Sequence, residues 1–226
     1  MKKLFTLGIA LAFACAAYAY PTLTGPTGLA TVPTTSIAPI GQFQLAADWY
    51  NTDPDTTVPL RLLYGATDNL ELGATLIFTE DDAWGINGKY VSPFNVVGFG
   101  VAFGAQFLSA DADITQLYAV GTRALSDDVT PLNATVGLNW TDVSGGGDGL
   151  RLFLGLEAIL AENLRLAAEL QTKRGQLEAS SLWSLVGRYA FNEALTAQLG
   201  LTNGPILGGD DHEFFLGFAY AFSAGQ

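Results

Sequence analysis

The sequence predicts an all-β fold, a closed antiparallel transmembrane β-barrel of about twelve strands built from up-and-down hairpins. Three observations predict it. After Gly41, apolar residues recur with period two rather than 3.6 along most of the chain. The segments with this pattern are mostly about ten residues long, the length a tilted strand needs to cross a bilayer. Most apolar faces end in an aromatic residue, such as Trp49, Phe78, Tyr90, Phe107 or Trp140. Aromatic residues at strand ends suit the two interfacial girdles of such a barrel.

The alternating segments fall near 42–51, 57–66, 69–79, 83–92, 95–108, 113–124, 131–142, 149–160, 164–173, 178–190, 194–202 and 212–222. In the first, Phe43, Leu45, Ala47 and Trp49 alternate with Gln44, Ala46 and Asp48; in the third, Leu70, Leu72, Ala74, Leu76 and Phe78 alternate with Glu71, Gly73, Thr75 and Ile77. The fifth sets Val97, Phe99, Val101, Phe103, Ala105 and Phe107 against Gly98, Gly100, Ala102, Gly104 and Gln106. Connections alternate in kind. Short turns at Thr67-Asp68-Asn69, Ser92-Pro93-Phe94, Ala161-Glu162-Asn163 and Phe191-Asn192-Glu193 contrast with longer ones at 52–56, 143–148 and 203–211. Segments 60–76 and 150–170 form a weak internal repeat, a strand, an acidic-Asn turn and a Leu-x-Leu strand, as growth by hairpins produces. Residues 150–171 are rich in Leu, Ala and Glu and read as an amphipathic helix on propensity alone. The period-two run Leu150, Leu152, Leu154, Leu156 favours strand.

A soluble sandwich also alternates. Here the second face is rich in Gly and polar groups. In lipid every backbone donor and acceptor must be paired, so open edges are excluded and closure follows.

The chain has 226 residues, 10 Lys+Arg against 22 Asp+Glu, and net charge −12. Apolar residues make 49% and charged ones only 14%, against roughly a quarter in soluble domains. The apolar fraction excludes a disordered chain, and the acidic balance argues against nucleic acid as a partner. A single Cys excludes a disulfide framework and a Cys-rich zinc site.

Lys2 and Lys3, the apolar run 4–17 and Ala17-Tyr18-Ala19 predict a cleaved signal peptide over 1–19, with Tyr20 as the first mature residue. Cys15 would leave with it. Residues 20–41 carry Pro21, Pro26, Pro33 and Pro39, which prevent a regular ladder. They are expected as a periplasmic or luminal lead-in, followed by the barrel over 42–222 and a tail over 223–226.

Two resemblances follow. Gly217, Tyr220 and Phe222 resemble the C-terminal signal by which the barrel-assembly machinery selects outer-membrane proteins. The sequence departs from it at Phe215, where a polar residue is usual, and in the tail after Phe222. The stretch Gly25-Pro26-Thr27-Gly28-Leu29, with Val32-Pro33-Thr34 and Gly41, resembles the opening of YjbH-like outer-membrane proteins, which accompany exopolysaccharide export. The first resemblance implies the assembly machinery and outer-membrane lipid as partners, and the second an accessory role in export.

If the apolar faces meet lipid, the other faces line the lumen. The expected lining charges are Asp48, Arg61, Glu71, Lys89, Arg123, Arg151, Glu157, Arg165, Glu169 and Arg188. A charge facing lipid at mid-membrane would cost a few kcal/mol. Twelve strands at about 4.8 Å spacing and 40° tilt make a cylinder roughly 24 Å across. Inner glycines, Gly98, Gly104, Gly121 and Gly137 among them, either keep a path open or permit close approach. The basic set either draws anions or is neutralised by the acidic one. The expected function is a narrow passive channel for small polar solutes in the outer membrane. The alternative is a non-conducting structural or accessory barrel, which the second resemblance links to polysaccharide export.

Catalysis, cofactors and metals are not expected. Asp210-Asp211-His212 is the one place a rim-site hydrolase set could start, and it reads as a polar loop. Asp53-Pro54-Asp55, Glu80-Asp81-Asp82 and Asp111-Ala112-Asp113 have oxygen ligands that could hold Ca²⁺ or Mg²⁺ loosely, and read first as solvated loop tips. Gly145–Gly149 is a single glycine-rich copy with no neighbour to complete a calcium site.

Overall fold

A computed structural model describes residues 20–51, 56–78, 82–126, 130–172, 181–203 and 213–223. The strands are β1 (Gln42–Asn51), β2 (Thr56–Thr67), β3 (Leu70–Phe78), β4 (Ala83–Val91), β5 (Gly100–Ser109) and β6 (Ile114–Ser126). They continue as β7 (Leu132–Val143), β8 (Gly147–Ala161), β9 (Leu164–Gln171), β10 (Leu182–Ala190), β11 (Leu195–Thr202) and β12 (Glu213–Ser223). Each pairs antiparallel with its chain neighbours, and β1 closes on β12 from Gln42↔Ser223 to Asn51↔Phe214. The twelve-stranded closed barrel expected from periodicity is what forms.

Residues 150–171 are strand, not helix. The β7–β8 ladder runs from Leu132↔Ala158 to Val143↔Gly147 and overrides the local helix propensity. The expected fifth strand is shortened, beginning at Gly100 rather than 95. Val96 and Phe99 bridge across a tight turn in which Val97 (φ 52°) and Gly98 (φ 79°) both take left-handed backbone. The signal-peptide expectation, Asp210-Asp211-His212, Asp53-Pro54-Asp55, Glu80-Asp81 and residues 224–226 lie outside the described residues.

The outer surface carries Leu72, Leu76, Ile86, Phe103, Leu117, Leu138, Leu152, Leu170, Leu199 and Phe218, all well exposed. Exposed apolar side chains on every strand form a surface far beyond the few hundred Å² that a soluble monomer shows. It has the character of a lipid-facing belt, with Trp49, Trp84, Tyr90, Tyr189 and Tyr220 among its aromatics.

The barrel is not hollow. Residues 20–40 fold back into it. Tyr20, Leu23, Leu29, Ala30 and Val32 are buried, at 2% exposure or less. The segment makes its own small scaffold, with bridges Pro21↔Thr27 and Gly28↔Pro33 and backbone bonds such as Leu23 N–H to Ala30 O at 2.8 Å. It leaves the lumen beside β2, where Ile40 bridges Gly65 and Gly41 N–H bonds to Gly65 O at 2.8 Å.

Candidate functional site: the plugged lumen

Between Tyr20 and Ala47 there is no charged residue, and the prolines have no N–H to satisfy. What the segment offers the wall is bare backbone, and the wall's inward charges take it up. Arg61 Nη1 donates to Thr22 O (2.9 Å), Lys89 Nζ to Thr27 O (2.7 Å), and Arg188 through Nη1 and Nη2 to Gly28 O (2.8 Å) and Leu29 O (2.6 Å). The acidic residues take the donors. Glu71 accepts from Thr27 N–H (3.0 Å) and Ala38 N–H (2.8 Å). Glu169 accepts from Thr31 N–H (2.8 Å), from the Thr31 hydroxyl and from Val32 N–H (3.1 Å).

These charges also answer one another. Arg61 is ion-paired with Asp48, and Lys89 with Glu71 at 3.5 Å, all four side chains fully buried. Asp48 further accepts from Gln198 Nε2 (2.7 Å) and from the Tyr20 hydroxyl (3.3 Å). A buried charge is tolerable when paired and hydrogen-bonded, and here the plug supplies much of the bonding. On this wall Asp48 and Glu71 neutralise Arg61 and Lys89, with the plug backbone in the place of solvent.

Nine of the ten expected lining residues face inward. Asp48, Arg61, Glu71, Lys89, Glu169 and Arg188 are buried against the plug. Arg151, Glu157 and Arg165 are inward and partly exposed. Arg123 is the correction. Its register partner is Ala134, on the same face as Leu117, Val136 and Leu138, so it points outward. It is exposed and lies over the Phe99 ring at 5.9 Å. Arg123 sits near a strand end, where a long cationic side chain reaches the interface and the mid-membrane penalty does not apply. Gly121 shares its outward parity. Of the assembly-signal positions, Gly217 faces in beside Asp48, while Tyr220 and Phe222 face out.

The inner glycines are seats, not free space. A Cβ on Gly104 would overlap the Tyr118 ring, one on Gly137 or Gly200 the rings of Phe153 or Phe215, and one on Gly155 the Leu29 side chain. Phe215 fills its position by stacking on Tyr50 at 5.3 Å in a cluster with Leu23, Leu29, Ala30, Ala167 and Val186. A second cluster holds Val32 against Ala102, Tyr118, Val120 and Phe153. None of these plug contacts was expected from sequence, nor were Gln106 Nε2 to Thr24 O (2.7 Å) and Gln171 Nε2 to Thr31 Oγ1 (2.6 Å). The available signal was the charge-free, proline-punctuated run 20–47, which matches a wall rich in buried-capable ions.

One part of the wall stays wet. A polar cavity of about 40 Å³ lies between the plug and β6–β10, lined among others by Thr34, Thr122, Asn133, Thr135, Glu157 and Arg165. That is room for a few water molecules. Glu157 and Arg165 pair across it at 3.4 Å. Among the described residues no group of His, Cys, Asp and Glu is arranged to hold a metal ion.

No family model matches the chain, and no curated protein matches it; the likeness to YjbH-like proteins finds no support there. Solved structures do match. The KdgM porin is 14% identical, with TM-score 0.65 over 79% of this chain and 99% of its own. The NanC porin is 11% identical, with TM-score 0.59 over 79% and 98%. The Acinetobacter baumannii outer membrane protein Omp33 is 12% identical, with TM-score 0.53 over 80% and 98%. The fold is thus that of outer-membrane porin barrels, carrying in this chain twelve strands and a folded N-terminal segment inside the lumen.

Proposed function

We propose that the protein is an outer-membrane barrel acting as a narrow passive channel for small polar solutes, its lumen constricted by residues 20–40, and not an enzyme. The observation that carries this is the inward surface of β6–β9. There, Thr122, Asn133, Thr135, Glu157 and Arg165 border a cavity with room for water, and Gln116, Asn139 and Arg151 continue the partly exposed polar face along the barrel. The lipid-facing belt and the porin-type fold support outer-membrane placement, with lipid and the barrel-assembly machinery as partners. The KdgM porin has a structure in complex with disordered oligogalacturonate. In this chain Arg61, Lys89 and Arg188, which an acidic saccharide would need, are turned onto plug carbonyls. The proposed solute is therefore small, with little charge preference.

A second reading, a non-conducting structural barrel, is favoured by the same plug, which packs apolar side chains on two sides of the lumen. Planar-bilayer recording of the purified full chain separates them. Small unitary steps are expected, rising severalfold in a variant lacking residues 21–38. Silence from both proteins, each shown folded by heat-shifted gel migration, would reject the channel and leave the structural barrel.

A further inference from the structure

The inward face of β6–β8 is ordered along the barrel axis. On β7 it reads Thr141, Asn139, Gly137, Thr135, Asn133; on β8 Arg151, Phe153, Gly155, Glu157; on β6 Gln116, Tyr118, Val120, Thr122. Register aligns Val120 with Gly137 and Gly137 with Phe153, with Thr122, Thr135 and Gly155 one step toward the end that carries the short turns. On β7 and β8 polar groups thus lie on both sides of an apolar layer, which on β6 extends over Tyr118 and Val120. Val32 of the plug packs on that layer, against Tyr118, Val120 and Phe153, and the Phe153 ring occupies the space over Gly137.

The two limbs of the plug are held differently. Residues 20–30 are bonded by Arg61, Lys89, Arg188 and Glu71, at carbonyls and N–H groups deep in the lumen. Residues 31–36 are held by Glu169 at Thr31 and Val32, by Gln171 at the Thr31 hydroxyl and by a 3.3 Å bond from Thr35 N–H to Thr122 Oγ1, and they fold onto the first limb through Leu29 N–H to Val32 O (2.9 Å), Thr34 N–H to Thr27 O (3.2 Å) and the Thr27 hydroxyl to Ser36 O. Thr31, Thr35 and Ser36 keep partial or full exposure, and Thr34 and Ser36 border the wet cavity.

Resting on the channel reading, we infer that the route for solute runs along β6–β8 and that the limb Thr31–Ser36 is its gate, with Val32 as an apolar seal and Glu169 as the latch. Opening breaks the bonds of this limb to Thr27, Leu29 and Glu169 and joins the polar groups on either side of the layer, while residues 20–30 keep their bonds to the wall. A narrow apolar layer excludes water and ions when closed, so the seal need not be tight in the steric sense.

The test records single channels from the full chain, from Val32→Asn and from Glu169→Gln, with Thr24→Ser as a control in the bonded limb. Val32→Asn hydrates the layer and is expected to raise the mean current at least threefold. Glu169→Gln weakens the latch and is expected to lengthen open times at unchanged step size. Thr24→Ser stays at wild-type values. In parallel, Thr135→Cys and Asn139→Cys, in a chain whose only native cysteine is Cys15, are treated with a charged thiol reagent during recording. Block at both positions is expected if the route passes β7. Wild-type currents from Val32→Asn and Glu169→Gln, or no block at either cysteine while channels still conduct, would overturn the gate and leave the channel reading standing. Silence of the plug-deleted barrel would instead remove the channel reading itself.

Discussion

On β2–β4, Arg61, Glu71 and Lys89 are fully buried, each bonded to the plug, and Lys89 is paired to Glu71. On β8 and β9, Glu157 and Arg165 form the same kind of pair at similar separation, yet their side chains keep 14% and 13% exposure beside a wet cavity. Residue type does not distinguish the two walls; what covers them does. Over β2–β4 the backbone of residues 22–38 replaces water as the partner of every charge. Over β6–β9 the plug covers Glu169 and the apolar side chains of β6 and β8 but leaves Glu157 and Arg165 partly exposed beside the cavity. A charged inner face in a barrel is thus evidence of polarity to be satisfied, and the presence of a solute path has to be read from the cover.

The largest effect is expected where cover is complete. Arg61→Met leaves Asp48 in the barrel without its cation and Thr22 O with the Gly25 N–H alone as donor. Removing one partner of a buried pair costs about 3–5 kcal/mol. Urea unfolding of the barrel in phospholipid vesicles checks this, and Arg61→Met with Asp48→Asn should recover part of the loss. No loss in the single variant would mean that the β2 wall is as wet as β8. Next comes Gly137→Val, which forces the Phe153 ring off its seat. Overpacking costs about 1–3 kcal/mol, and loosening of the Val32 seal should accompany it as increased current. Smaller still is Glu157→Gln, because water in the cavity can re-solvate Arg165; about 1 kcal/mol or less is expected in the same unfolding assay. Its signature is a shift of the reversal potential toward anion preference in a salt gradient, which a fully covered pair would not show.

The strands were legible because lipid imposes one rule on the outer face. β1 is read at its observed bounds from Phe43, Leu45, Ala47 and Trp49 alone. The rule fails where the inner face is also apolar. On β6 the larger apolar groups Tyr118 and Val120 point inward, to meet Val32, while Gly121 and Arg123 point outward. Size and charge then favour the wrong face, because the apolar partner of β6, Val32, lies far earlier in the chain. The same long-range partner explains Phe215, a phenylalanine where a polar residue was expected, which packs on Leu23 and Tyr50. Alternation reports a residue's own surroundings. It holds no record of a segment that folds into the lumen by backbone hydrogen bonds, since those bonds leave no pattern in side-chain type.

The smallest effect concerns Arg123 and decides which of the two walls a cation belongs to. If inward charge were enough, Arg123→Glu and Arg151→Glu would act alike on selectivity. The register places Arg151 opposite Asn139 on the luminal face and Arg123 opposite Ala134 on the outer one. A charge on the outer face acts on a permeating ion only across the barrel wall and through the screening of salt, which at 0.1 M extends about 10 Å. In a tenfold salt gradient, Arg151→Glu should therefore move the reversal potential toward cations. Arg123→Glu should leave it at the wild-type value and lose only its contact with the Phe99 ring. Equal shifts from the two variants would place Arg123 in the lumen and would require the β6–β7 register, and with it the axial order on which the gate depends, to be redrawn.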